Sequence, residues 1–142
     1  QGYIQSGIDE GAKVVVGGPD KPYDRGWYVR PTLFTGATND MKIAREEIFG
    51  PVLTVLTYTD EADAIRIANA SQFGLGGSVW SADSARALDV ARRVESGTVG
   101  VNGYMPSLGS PFGGIKASGM GSEFGPEAVN GYQRVKSIYV MG

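Results

Sequence analysis

The sequence predicts an α/β fold, a mostly parallel sheet with crossover helices and a C-terminal β-strand. Three observations carry this prediction. Residues 52–58 (VLTVLTY) are a near-continuous β-prone run, the pattern of a strand covered on both faces. Two segments with helical spacing follow, DEADAIRIANAS and ADSARALDVARRVES, each preceded by a β-prone stretch. The order strand, helix, strand, helix, strand over residues 52–103 then implies parallel pairing through right-handed crossovers.

Taken in chain order, QGYIQSGID reads as a helix already under way, with Tyr3, Ile4 and Ile8 near one face and no capping residue ahead of it. That start suggests a piece of a longer chain. Gly11 supplies a left-handed position to end the helix. KVVV is a short strand, PDKPYDRG a polar loop, and WYVRPTLF a second strand whose Pro31 points to an edge or a break.

Asp60 is the expected N-cap of the next helix, with Ala64, Ile65 and Ala68 on its apolar side. GGSVWS is a strand, Ser81 the expected cap of the following helix, and Ala85, Leu88, Ala91 and Val94 its apolar stripe. Gly97 stops that helix and TVGVNG is a strand. Ligands of such sheets sit beyond the carboxyl ends of the strands, here Tyr58, Ser81 and Asn102-Gly103. Residues 104–126 are rich in Gly, Pro and Ser and too long for a passive connector. QRVKSIYV, in residues 133–142, is a closing strand free to pair with another chain.

Composition narrows the function. The chain has 142 residues, 42% hydrophobic and 20% charged, with a net charge of −2. No basic stripe is available to neutralise phosphates, so nucleic acid is not an expected partner. No apolar run approaches the ~20 residues that cross a bilayer, so neither is a membrane, and a cytoplasmic location is expected. There is no cysteine and no histidine. Disulfides, thiolate metal sites and cysteine nucleophiles are excluded within this stretch, as is the commonest general base. No metal site is expected. Asp60, Glu61 and Asp63 sit at a helix start, where acidic residues favour the dipole. GMGSEFG has the wrong spacing for a dinucleotide fingerprint, and GGIKAS lacks the ending of a phosphate loop. Lys116 and Ser118 are two apart and would not meet on a helix. Trp27 and Trp80 read as core or interface residues.

One short stretch stands out. In EEIFGPV, Glu47 and Phe49 are two apart, so an extended backbone would project them from one face with Ile48 turned into the core. A carboxylate beside an aromatic plane suits a polar ring bearing vicinal hydroxyls. Gly50 leaves room for close approach and Pro51 fixes the backbone at the strand start. The alternative is a solvated Glu46-Glu47 pair and a core phenylalanine.

EEIFGPV resembles a motif of the NAD(P)-dependent aldehyde dehydrogenase superfamily. PFGGIKASGMGSEFG resembles a second signature of the same family. FGLGGSVWS, SGTVGVN and YQRVKSIYV fall in that family's order and spacing, so the resemblance covers essentially the whole chain. It implies that residues 1–132 are the C-terminal part of the catalytic domain and 133–142 an oligomerisation strand of a homo-oligomer. It implies cofactor-binding roles for Glu47, on the ribose hydroxyls beside the nicotinamide of NAD or NADP, and for Phe49, beside the nicotinamide ring. Phe112 would lie near the aldehyde tunnel and residues 104–110 would shape substrate choice. Phe112 also reads as a turn aromatic holding two loops together.

The family's reaction uses a cysteine thiolate that attacks the aldehyde, a hydride transfer to NAD(P), and water that releases the acid. No catalytic residue of that set occurs in this chain. Ser122 also stands where the second signature usually has arginine. The expectation is a stretch that contributes cofactor and substrate contacts but is inactive alone. Two rival readings remain: a folded association module that pairs through its last strand, and a stand-alone nucleotide binder, whose half-clamp would bind too weakly to matter.

Overall fold

The computed structural model describes residues 1–142. The chain divides into two compact units, Gln1–Ala70 and Ser71–Gly142.

In the first unit, α1 (Gly2–Asp9) buries Ile4 and Gly7. It ends where Gly11 takes φ 94° and donates its N–H to the Ile8 carbonyl at 3.0 Å, as the sequence predicts. β1 (Lys13–Val16) pairs antiparallel with β2 (Thr32–Thr35), with the register shifting between Val14 and Val16. α2 (Lys42–Arg45) follows, and β3 (Val52–Thr54) pairs parallel with β2. α3 (Glu61–Asn69) is capped by Asp60, whose carboxylate accepts the Asp63 N–H at 2.8 Å.

Ile4, Ala12, Phe34 and Ile43 form the buried core, with Ile48 and Val52 packed partly against it. Gly7 packs closely there. A Cβ at that position would lie 2.9 Å from Ile43 Cδ1 and 3.0 Å from Phe34 Cζ, so α1 rests directly on α2 and β2.

Two expectations change in this unit. The strand expected over residues 52–58 spans only three residues, and burial alternates along it, with Leu53 63% exposed. Only one face is packed. The strand expected from Trp27 begins at Thr32, because Pro31 brings no N–H to a ladder and Trp27 lies fully exposed ahead of it. Trp80 is exposed as well, so neither tryptophan is a core residue.

The second unit contains β4 (Phe73–Gly74), β5 (Gly76–Val79), α4 (Ser84–Arg93), β6 (Thr98–Val101), β7 (Ile115–Lys116) and a 3-10 segment, Pro126–Tyr132. β5 and β6 pair in parallel from Gly76↔Thr98 to Val79↔Val101 with α4 as the crossover, the second half of the arrangement expected over residues 52–103, whereas β3 pairs with β2 and not with β5. The cap of α4 is Asp83, which accepts the Arg86 N–H at 3.0 Å, and not Ser81. Ser81 acts one step earlier, accepting the Asp83 N–H at 3.1 Å. The apolar stripe is rotated too. Ala87 is the buried residue of α4, while Ala85 and Leu88 face solvent.

β4 and β7 form an antiparallel pair, so the sheets combine parallel and antiparallel ladders. This pair draws GGIKAS onto the unit. Ser118 Oγ accepts the Gly74 N–H at 3.0 Å, and Lys116 Nζ lies 2.7 Å from Glu95 Oε2. Residues 133–142 form no strand, and their β-formers are exposed, Val135 at 99%. No helix is long and apolar enough to cross a membrane.

Candidate functional site

The stretch between α2 and β3 builds the site in the first unit. Glu46 is the residue after α2, with extended backbone and its N–H on the Lys42 carbonyl at 3.0 Å. Ile48 then turns toward the core, as expected. Phe49 does not continue the extension. It adopts φ 45°, in the left-handed region, and its ring is 91% exposed. A non-glycine residue held there costs on the order of 1 kcal/mol. The turn closes when the Val52 N–H reaches the Gly50 carbonyl at 2.8 Å around Pro51, whose own carbonyl takes the Thr32 N–H at 2.8 Å and starts the β2–β3 ladder. Alternation along an extended segment therefore does not decide the side on which Phe49 projects relative to Glu47. The turn does.

A groove of about 370 Å³ runs beside this loop, bordered by Glu46, Ile48, Phe49 and Gly50 and floored by Ile43 and Val52. Phe49 borders it. Glu47 is exposed and stands outside that lining. The groove's own carboxylate is Glu46, which sequence reasoning passed over. Its Oε2 accepts the Tyr3 hydroxyl at 2.8 Å. That bond raises the Tyr3 pKa above its ordinary 10.0, because removing the proton would set a phenolate against a carboxylate.

Lys42 places its ammonium 5.0 Å over the Tyr3 ring. Glu10 accepts the Lys42 backbone N–H at 2.9 Å and the Ser6 hydroxyl at 2.7 Å. The Ser6 hydroxyl, and after it the Lys42 N–H, lower the Glu10 pKa. No local signal separates Glu46 from Glu47, since the partner that distinguishes them lies 43 residues away on α1.

Phe112 belongs to the second unit. It exchanges both backbone hydrogen bonds with Glu123, at 2.8 and 2.7 Å, as an isolated antiparallel bridge. Its ring is half-buried and lies 6.2 Å from that of Phe124, tilted by 39°. The structure thus gives Phe112 the loop-fastening contacts of a turn aromatic. The preceding loop is anchored at Tyr104, whose hydroxyl is 2.7 Å from Thr98 Oγ1. At the carboxyl ends of β5 and β6, Asn102 (φ 54°) accepts the Ser81 N–H at 2.8 Å and donates to the Ser81 carbonyl at 2.9 Å. Nothing in the sequence signals the contacts of Tyr104 with Thr98, of Phe124 with Phe112 or of Ser81 with Asn102.

The aldehyde dehydrogenase family model matches residues 1–138. The chain belongs to the aldehyde dehydrogenase family. Among curated relatives of this family, geranial dehydrogenase from Castellaniella defragrans is 56% identical over 142 residues, covering 100% of this chain and 30% of the relative. A putative aldehyde dehydrogenase of Staphylococcus aureus is 48% identical, with 97% and 30% covered. The chain therefore spans about 30% of the length of the curated relatives it matches.

Aldehyde dehydrogenase structures superpose closely. The Mycobacterium tuberculosis aldehyde dehydrogenase solved with NAD+ gives a TM-score of 0.88 at 48% identity, over 92% of this chain and 27% of that one. An indole-3-acetaldehyde dehydrogenase solved with NAD+ gives 0.91 at 42% identity, over 98% and 28%.

Proposed function

We propose that this chain is the stretch of an NAD(P)-dependent aldehyde dehydrogenase subunit that holds the nicotinamide end of the cofactor and borders the aldehyde path. The observation that carries this is Phe49, an almost fully exposed ring held at positive φ on the rim of a groove, one residue beyond Ile48 and two beyond an exposed carboxylate. Strain and an exposed aromatic surface together are not what stability selects. The residues fit the group. A flat apolar ring suits a nicotinamide face, and the Glu47 carboxylate suits a pair of ribose hydroxyls. When bound, the nicotinamide takes up the hydride that leaves the aldehyde. Glu47 would hold the ribose, Phe49 would pack on the ring, and Phe112 with residues 104–110 would border the substrate. The NAD+ complexes of structurally similar members support this reading.

Alone, the chain is expected to be inactive. It has no cysteine to supply a thiolate, and positioning groups do not replace a missing nucleophile. Absorbance of reduced nicotinamide, followed over a range of aldehydes, checks this; turnover by the isolated chain overturns it.

The cofactor contacts are tested in a chimera in which this chain replaces the matching stretch of the Castellaniella geranial dehydrogenase. Glu47→Gln is expected to raise KM for NAD+ about tenfold, the size of weakening a hydrogen bond to a charged acceptor. Phe49→Ala is expected to raise it by a similar factor. Unchanged KM values in both would sink the assignment.

A second reading has its own support. Val135, Ile138, Tyr139 and Val140 are exposed on an unpaired segment rich in β-formers. That segment suits pairing with a second copy or a longer subunit, giving a homo-oligomer, and sedimentation of the chain over a concentration series decides it.

A further inference from the structure

The strained shape of the 46–51 loop is held at three points. Its downstream end is secured by the Pro51 carbonyl on the Thr32 N–H, and its middle by Ile48 against the core. Its upstream end has one backbone bond, the Glu46 N–H on the Lys42 carbonyl at 3.0 Å, and beyond it only side-chain chemistry. Glu46 has left α2, and no β-ladder begins until Val52. The Tyr3 hydroxyl supplies the bond, reaching across from α1 to Glu46 Oε2 at 2.8 Å.

Tyr3 is itself fixed from two sides. Its neighbour Ile4 is fully buried in the core, and Lys42 covers its ring at 5.0 Å. Lys42 is held in turn through its backbone N–H by Glu10, which closes a circuit between α1 and α2. The charged groups at this bond are Lys42, over the Tyr3 ring, and Glu46 itself.

We propose that Tyr3 and Glu46 are positioning residues for the cofactor clamp, setting the backbone from which Glu47 and Phe49 project without touching the cofactor themselves. This rests on the proposed cofactor role of those two residues. A phenol donating to a carboxylate is a strong and directional bond. Glu46 needs only an acceptor oxygen for it, so glutamine preserves the bond and alanine destroys it.

The test is backbone relaxation of the full 142-residue chain. In the unaltered chain, the amides of Glu47 and Phe49 are expected at an order parameter of about 0.85, and below about 0.6 in Tyr3→Phe and Glu46→Ala. Glu46→Gln restores the ordered value. Asp60→Ala, which weakens the same unit at the cap of α3, leaves the loop unchanged. An ordered loop in Tyr3→Phe overturns the proposal, and so does equal loosening in Asp60→Ala.

In the chimera, Tyr3→Phe is expected to raise KM for NAD+ about threefold while kcat and KM for the aldehyde stay constant. If the loop loosens in Tyr3→Phe but neither Glu47→Gln nor Phe49→Ala moves KM for NAD+, the cofactor reading fails and the tether stands. If those two variants raise KM and Tyr3→Phe changes neither loop nor KM, the tether fails and the cofactor reading stands.

Discussion

At the scale of single residues, the cofactor role proposed for Phe49 sets function against stability. Its ring is exposed and its φ of 45° suits glycine better than phenylalanine. Phe49→Gly is therefore expected to leave the isolated chain as stable or more stable by up to about 1 kcal/mol in urea unfolding, while cofactor affinity in the chimera falls. A marked loss of stability would show that the ring is structural.

The carboxylate of Glu10 gives a pH signature. Its folded-state pKa lies below the ordinary 4.5, chiefly through the Ser6 hydroxyl and then the Lys42 N–H. The stabilisation is complete above the unfolded value and is lost as pH falls through the folded one. Acidification below about pH 4.5 should thus lower Tm, and Glu10→Gln should flatten that limb. Tyr3 runs the other way. Its raised pKa means that its contribution is intact below pH 10.0 and is lost as pH rises through the folded value.

Adjacent residues show where sequence reading stops. The motif singles out Glu47 and Phe49 as candidates, but two neighbouring glutamates are chemically alike. Only the fold, by bringing Tyr3 to one of them, separates their contacts.

At the scale of elements, local rules were the most legible. Asp60 caps α3 and Gly11 ends α1 because both effects depend on a few neighbouring residues. Asp60→Ala is expected to cost about 1 kcal/mol, read as a shift in the thermal midpoint. Features that depend on distant partners were not legible. The β4–β7 pair depends on residues 41 to 43 positions apart, and two-residue strands carry no periodicity to read. The rotated stripe of α4 shows the same limit, since three-residue spacing suits several neighbouring faces and the packing partner selects Ala87.

The sequence suggests that Gly97 stops α4, but α4 ends at Arg93 with Val94 as its cap, and the role of Gly97 is steric: a Cβ there would collide with the Gly113 carbonyl oxygen. Gly97→Ala is expected to cost more than about 2 kcal/mol and to loosen the Gly113–Gly114 backbone, visible as new proteolytic cleavage in that segment.

At the scale of the whole molecule, fold class was legible because alternation over fifty residues is a strong signal, whereas burial was not. The sequence has the apolar content of an ordinary globular domain, but only Ile4, Ala12, Phe34, Ile43 and Ala87 are buried hydrophobics. Leu53, Trp27, Met120 and Val135 are among the many that face solvent. Core patterning shows which side chains are apolar, not whether the covering surface lies within the same stretch. The closing strand failed for the same reason, since β-formers become a strand only when a ladder receives them. Concentration-dependent association is therefore expected on sedimentation, and Ile138→Lys with Val140→Lys should reduce it without changing the circular dichroism of the units.

The double bond between Asn102 and Ser81 bears on how the protein ages. An asparagine followed by glycine loses ammonia when the next backbone nitrogen attacks the side-chain amide, and Asn102-Gly103 and Asn130-Gly131 are both such pairs. The Asn102 amide is occupied at both its oxygen and its nitrogen, while Asn130 sits exposed on the 3-10 segment. Chemical wear should begin at Asn130. Once it reaches Asn102, the new acid can no longer donate to the Ser81 carbonyl and faces it oxygen to oxygen, so the paired strand ends should part from that corner.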